Sequence, residues 1–201
     1  SKQTVAKQTV PASNYATVII NVKSPKLWSP ASPHLYDLVY EVSDKDGKTV
    51  DVISSYVGMR KVHIEGNKVF LNNKPFYQRL VLDQGFYPDG IWTAPSDEAL
   101  KNDILMSQAV GFNGARLHQK VFEPRFLYHC DKLGYIVWGE HGNWGLDLSK
   151  PTCWAGFIPE WLEIIGRDYN HPAIIGWCPL NETASNQDPF FVSALYDMTK
   201  A

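Results

Sequence analysis

Four short apolar runs in the second half of the chain each stop on residues able to do chemistry: Asp83-Gln84, His118-Gln119-Lys120, Glu140-His141 and Asn181-Glu182. The last is the most suggestive. Ala173 to Leu180 reads as a fully buried parallel strand, and it delivers an amide and a carboxyl group together at its end. A carboxyl group fixed by a strand can give or take a proton during a reaction. The plainer reading is that Asn181-Glu182 simply opens the next loop. The elements that position these residues decide between the two.

From residue 76 onward the pattern alternates. Phe76 to Leu82 predicts a strand. Ser96-Asp97-Glu98 opens a helix over 96–110, with Leu100, Ile104, Leu105 and Val110 at helical spacing and Gly111 as its stop. Phe112 to Leu117 is a strand. Glu123-Pro124 opens a second helix, with Phe126, Leu127, Cys130 and Leu133 on one face and Gly134 at its end. Tyr135 to Glu140 is a strand, 158–168 a helix, 173–180 a strand and 188–200 a helix. Such a βαβαβαβα series implies right-handed crossovers and a parallel sheet. No GxGxxG follows its first strand, which weakens a dinucleotide-binding sheet. Polar residues at the end of every strand are what the catalytic face of a (β/α)8 barrel requires.

The first sixty residues read differently. Residues 1–14 are polar and carry no period. Ala16 to Val22, Leu35 to Val42 and Thr49 to Val57 predict strands, the last two joined by a turn centred on Asp46-Gly47. Pro25, Pro30 and Pro33 make the stretch between the first two an extended connector. Strands and turns without a helix describe part of an antiparallel sandwich. Lys61 to Glu65 and Lys68 to Asn72 form a further hairpin around Gly66-Asn67.

A net charge of −2 from 19 basic and 21 acidic residues gives no sign of a nucleic-acid or membrane-surface partner. No apolar run is long enough to span a bilayer. Ser1 to Pro11 lack the apolar core of a signal peptide, although the chain begins without Met, so that a segment removed upstream is expected. Cys130, Cys153 and Cys178 are far apart and have no metal-ligand spacing; Cys130 and Cys178 read as small buried hydrophobes. Seven Trp and ten Tyr are many for 201 residues and fit a sugar-binding cleft as well as a core.

An ordered series of motifs now resembles glycoside hydrolase family 2, the family of β-galactosidases, β-glucuronidases and β-mannosidases. Leu27-Trp28-Ser29-Pro30 and Pro33-His34-Leu35-Tyr36 resemble the end of its immunoglobulin-like sandwich. Val57-Gly58-Met59-Arg60-Lys61-Val62 resembles its sandwich-to-barrel junction, and Phe70-Leu71-Asn72-Asn73-Lys74-Pro75 its "fLNGKP" turn. Gly111 to His118 resembles its "G-x-N-x-x-R-x-x-H" strand, Asp131 to Glu140 its third barrel strand, and Arg167 to Glu182 its acid/base signature. The resemblance implies residues 1–60 as the C-terminal part of an immunoglobulin-like β-sandwich. It implies residues 61–201 as the N-terminal half, about four βα units, of a TIM barrel. The family's "RGVNRHE", "SHYP" and metal-site "E-T-H-G" segments are replaced here by Gln78 to Phe86, His118-Gln119-Lys120-Val121 and Glu140-His141-Gly142-Asn143. These departures argue against a Mg-dependent β-galactosidase and mark a divergent branch.

What the resemblance implies is retaining hydrolysis of O-glycosidic, β-configured linkages in a carbohydrate substrate by two carboxyl groups about 5–5.5 Å apart. Glu182 would be the acid/base, with a pKa raised by its surroundings. Asn181 would donate to the sugar 2-hydroxyl, and Arg116 would hold a carboxylate, the nucleophile itself among the candidates. His118 and Asp83 would contact sugar hydroxyls, Glu140 would contact or back the sugar, and Trp144 would form a stacking wall. Core packing is the simpler role for Trp138 and Trp177. The family's nucleophile lies on the seventh barrel strand, so this chain is expected to be a fragment inactive alone. No metal or organic cofactor is needed, and homo-oligomerisation of the full-length protein stays open. Two alternatives remain: a non-catalytic carbohydrate-binding or structural module on the same framework, and a family 5-like single-domain glycosidase.

Overall fold

The computed structural model describes residues 3–14 and 17–201. A two-stranded antiparallel hairpin, β1 (Tyr36–Ser43) and β2 (Thr49–Val57), precedes a small antiparallel sheet of β3 (Val62–Glu65), β4 (Lys68–Leu71) and β5 (Lys74–Pro75). Then come β6 (Leu80–Asp83), α1 (Asp97–Ala109), β7 (Gly114–Leu117), α2 (Pro124–Leu133), β8 (Ile136–Glu140), α3 (Pro151–Asp168), β9 (Ile174–Cys178) and α4 (Pro189–Lys200). Strands β6-β7-β8-β9 form one parallel sheet in that order. The chain is therefore mixed α/β, with antiparallel pieces first and alternating units after.

Local chemistry explains the boundaries. The Ser96 hydroxyl caps α1 by accepting from the Ala99 N–H at 3.2 Å, and Asp188 caps α4 by accepting from the Phe191 N–H at 2.8 Å. Gly134 ends α2 at φ 71, where a side chain is unfavourable for a second reason: a Cβ would lie 2.4 Å from the Pro30 carbonyl oxygen.

Three expectations need correction. Residues 17–22 carry no strand, and Ile19 is exposed; Tyr15 and Ala16 lie outside the described residues. An apolar alternation becomes a strand only when another strand pairs with it, and none does among the described residues. The strand expected over Phe76 to Leu82 is shortened to β6. Phe76 donates its N–H back to Val69 at 2.8 Å, extending the preceding hairpin. The Asn113 side chain then occupies the next backbone groups, accepting from the Arg79 N–H at 2.7 Å and donating to the Tyr77 carbonyl at 2.9 Å. The third helix begins at Pro151, not at 158. A proline is favoured in the first turn of a helix; Pro151 holds that place here, and Pro159 sits inside the helix.

The main core lies between the parallel sheet and α1 and α2, and includes Leu100, Ile104, Leu117, Phe126, Leu127 and Ile136. Trp28, fully buried, enters this core from the N-terminal segment and donates its indole N–H to the Asp131 carbonyl at 2.8 Å. The Asp131 carboxylate, also fully buried, accepts from Tyr56 Oη at 2.7 Å and the Ala173 N–H at 2.9 Å, and lies 2.6 Å from His171 Nδ1. Burial and Asp131 push the Tyr56 phenol upward, which keeps it a donor. Arg60 donates to the carbonyls of Pro172 and Ile174. The hairpin and the segment after it are thus bolted to the start of β9.

Candidate active site

Parallel pairing places the carboxyl ends of the four strands side by side. Asp83 is in register with Leu117, and Glu140 with Cys178. Arg116, on β7, ties three of these ends together. Its Nε donates to Glu140 Oε2 at 2.6 Å and its Nη2 to Asn181 Oδ1 at 2.7 Å. Glu140 is 1% exposed, and its other oxygen accepts the Gln119 backbone N–H at 3.0 Å. The bond to Glu140 holds the guanidinium above its already high ordinary pKa, so Arg116 stays charged. The carboxylate that Arg116 grips within these residues is therefore Glu140.

That grip also orients Asn181. Arg116 can only donate, so the atom facing it must be the amide oxygen, and the Asn181 NH2 becomes the donating end. The Asn181 backbone is held as well: its N–H donates to Asn143 Oδ1 at 3.0 Å and its carbonyl accepts from Asn143 Nδ2 at 3.3 Å. Gln119 Nε2 donates to the same Asn143 oxygen at 3.2 Å.

Glu182 follows at φ 44 and its side chain is exposed. A left-handed φ is uncommon for such a residue and tends to persist where surrounding structure enforces it. Gln119, at φ 56, is a second case beside it. A cavity of about 360 Å³ is lined by Asn181, Glu182, His118, Gln119 and Gln84, with Phe86, Trp92 and Trp144 supplying apolar walls. His118 Nδ1 lies 3.0 Å from Gln84 Nε2.

Of the residues singled out in the sequence, Glu182, Asn181, His118 and Trp144 meet at this cavity. Arg116 and Glu140 stand behind Asn181 as its anchor, and Glu140 is too buried to reach a sugar. Asp83 is not brought to the cavity. Its carboxylate turns back to accept the Gly85 N–H at 2.8 Å, and burial pushes its pKa up. The desolvated setting expected for Glu182 is not found, because that side chain is exposed. Trp138 and Trp177 each cross a glycine on the neighbouring strand: a Cβ on Gly176 would lie 2.7 Å from the Trp138 ring, and one on Gly139 would lie 2.7 Å from Trp177. Both rings act as packing groups.

Known proteins resemble this chain in sequence and in fold. The profile of "Glycosyl hydrolases family 2" matches residues 1–60. A β-galactosidase of Pseudoalteromonas haloplanktis is 32% identical over 181 residues, covering 86% of this chain and 17% of that protein. A β-galactosidase of Vibrio vulnificus is 29% identical over 188 residues, covering 90% of this chain and 18% of that protein. A solved β-glucuronidase of Ruminococcus gnavus in complex with D-glucuronic acid superposes with a TM-score of 0.80 at 23% identity, over 90% of this chain and 31% of that one. These matches support glycosyl hydrolases family 2 as the family that the chain resembles. A solved β-glycosidase of Bacteroides vulgatus, at 27% identity and a TM-score of 0.74, covers 88% of this chain and 23% of its own. The chain thus spans under a fifth of the length of the curated relatives it matches.

Several residues of this site escape sequence reasoning. Asn143 and Gln119 stand within the polar runs after β8 and β7, but nothing in those runs says that their amides interlock. Nor does the sequence single out Phe86 and Trp92. His141 is the other surprise. It is buried against Phe157, with ring centroids 4.1 Å apart, and neither ring nitrogen has a hydrogen-bond partner among the described residues. Glu160 Oε2 lies 3.5 Å from its Nε2, close enough for attraction but not in hydrogen-bonding geometry. Burial, the largest cause, lowers the His141 pKa below the ordinary value of 6.5. The unfolded chain then binds the proton more readily than the folded one. The stability contribution is complete above pH 6.5 and falls as the pH drops through that value toward the folded pKa. We expect urea-unfolding free energies to decline by up to about 1.4 kcal/mol per pH unit in this window, and His141→Phe to remove that component. An unchanged pH profile in His141→Phe would contradict it.

Proposed function

We propose that these 201 residues are part of a retaining glycoside hydrolase that cleaves O-glycosidic, β-configured linkages. Residues 1–60 are the C-terminal part of its immunoglobulin-like sandwich, and residues 61–201 the N-terminal half of its TIM barrel. One observation carries the reading: Asn181 and Glu182 reach one cavity from the carboxyl end of a parallel strand, with the Asn181 amide locked by Arg116.

The chemistry is the one that the family resemblance implies. Glu182 donates a proton to the glycosidic oxygen as the bond breaks and later takes one from the attacking water. The oriented Asn181 NH2 donates to the 2-hydroxyl of the sugar, a bond that strengthens as charge develops at the ring. His118 and Gln119 offer further polar contacts at the wall. Glu140 and Arg116 serve as positioning residues. The nucleophile comes from outside these residues, as the short share of the relatives' length suggests. Both edges of the parallel sheet, β6 and β9, lack a neighbour among the described residues, which fits a barrel completed by further strands. Closure by such strands would also supply the desolvation that an acid/base carboxyl group needs.

The test compares two proteins. The complete reading frame is expected to hydrolyse at least one member of a panel of aryl β-glycosides, including galactosides and glucuronides. The 201-residue chain alone is expected to give no turnover above background. Turnover by the isolated chain that disappears in Glu182→Gln would overturn the half-site reading. No turnover by the complete protein on any glycoside would overturn the enzymatic one.

A further inference from the structure

The cavity beside Glu182 has an outer wall that the reaction described above does not use. It is built by the loop between β6 and α1, and a buried lysine holds that loop at both ends. Lys120 is 9% exposed; its Nζ donates to the Gly85 carbonyl at 3.0 Å and to the Trp92 carbonyl at 2.8 Å. Its position is further fixed by the Phe122 ring, 4.7 Å away, and by Glu123 at 3.7 Å. Between the two clamped residues, Tyr87 and Ile91 exchange backbone hydrogen bonds of 2.7 and 3.0 Å. Ile91 sits at φ 56, a strained conformation for a β-branched residue that only a well-determined loop sustains. Gly85, at φ 62, leaves room for the ammonium: a Cβ there would lie 2.8 Å from Nζ.

What the clamp presents is aromatic. Phe86 and Trp92 are 59% and 55% exposed, with ring centroids 6.0 Å apart, and both line the cavity that holds Glu182. Trp144, 70% exposed, lines it too. Asn181, by contrast, is 8% exposed and marks the inner end. Among the described residues no lysine or arginine lines this cavity: Lys120 is committed to the loop carbonyls and Arg116 to Glu140 and Asn181.

We propose that Lys120 positions Phe86 and Trp92 as a stacking wall for the leaving-group side of an uncharged glycoside, binding a flat apolar face. This rests on the glycosidase reading above. The sugar whose 2-hydroxyl meets Asn181 occupies the inner end. The group joined to it through the oxygen beside Glu182 then lies outward, against the exposed rings. An aryl group and the C–H face of a second pyranose share this chemistry, and the experiment separates them.

Dissociation constants are measured by calorimetry on the chain for methyl and phenyl β-D-galactopyranoside, methyl and phenyl β-D-glucopyranoside, lactose and cellobiose. For at least one sugar, the phenyl glycoside or the disaccharide is expected to bind about fivefold to tenfold more tightly than the methyl glycoside. Tightening by phenyl alone identifies an aryl group, and tightening by the disaccharide identifies a second pyranose. Trp92→Ala is expected to bring that ratio to about one while methyl-glycoside affinity changes by less than about twofold. Lys120→Met is expected to do the same, and Lys120→Arg, which keeps donors for the two carbonyls, to restore the preference. A wild-type ratio of about one in every series, or a preference that survives Trp92→Ala, overturns the wall. A preference that survives Lys120→Met overturns the role of the lysine. Binding ratios do not depend on turnover, so the glycosidase reading fails separately, on the hydrolysis tests of the complete protein.

Discussion

Glu182→Gln in the complete protein is expected to lower turnover of glycosides with poor leaving groups by about 10²- to 10⁴-fold, the usual contribution of a positioned general acid. The substitution keeps shape and removes the ionisable proton. Because the side chain is exposed, the fold should be untouched, with a stability change within about 0.5 kcal/mol. The loss should shrink as the leaving group improves, since a nitrophenolate departs without help from an acid. Plotting the rate loss against leaving-group pKa checks this. A uniform loss across the series would assign Glu182 to binding, and no loss would remove it from the site.

The second large effect belongs to Arg116. Arg116→Met takes the cation away from Glu140, whose side chain is fully buried and keeps the Gln119 N–H and the Cys178 thiol beside it but no positive charge. Breaking a buried pair from one side typically costs about 3–5 kcal/mol, because the remaining charge stays uncompensated. The guanidinium itself is 34% exposed, which places the expected loss near the lower end, at about 3 kcal/mol. Adding Glu140→Gln should recover part of it, and a double-mutant cycle by denaturant unfolding would read the coupling. A loss below about 1 kcal/mol would mean that water reaches Glu140 and that the anchor is weaker than its geometry. Activity of the complete protein should fall as well, since Asn181 loses the group that fixes its amide.

Much of this site is legible in the sequence because it depends on strand ends. The runs closing on His118, Glu140 and Asn181-Glu182 become β7, β8 and β9, and parallel register alone brings their tips together. Helix limits at Ser96, Gly134 and Asp188 are legible for a similar reason, since each is set by one residue acting on nearby backbone. The misread parts depend on partners distant in sequence. Whether 17–22 is a strand depends on what pairs with it. Where β6 begins depends on Asn113, more than thirty residues away. The direction of Asp83 depends on its loop, and the aromatic wall depends on Lys120 reaching back 35 residues to Gly85. A proline inside α3 misleads because local rules favour it at a helix start, while the packing of Phe157, Trp161 and Ile164 carries the helix past it.

In the proposed function Glu182 serves a retaining mechanism as acid and then as base. The most direct measurement uses Glu182→Ala in the complete protein, with an activated aryl β-glycoside and added azide, the products being followed by proton NMR. Without the carboxylate, water cannot be activated to release the glycosyl-enzyme, but an anionic nucleophile needs no general base. Azide is expected to restore turnover and to yield a glycosyl azide with the β configuration of the substrate. No restoration, or an α-glycosyl azide, would contradict it.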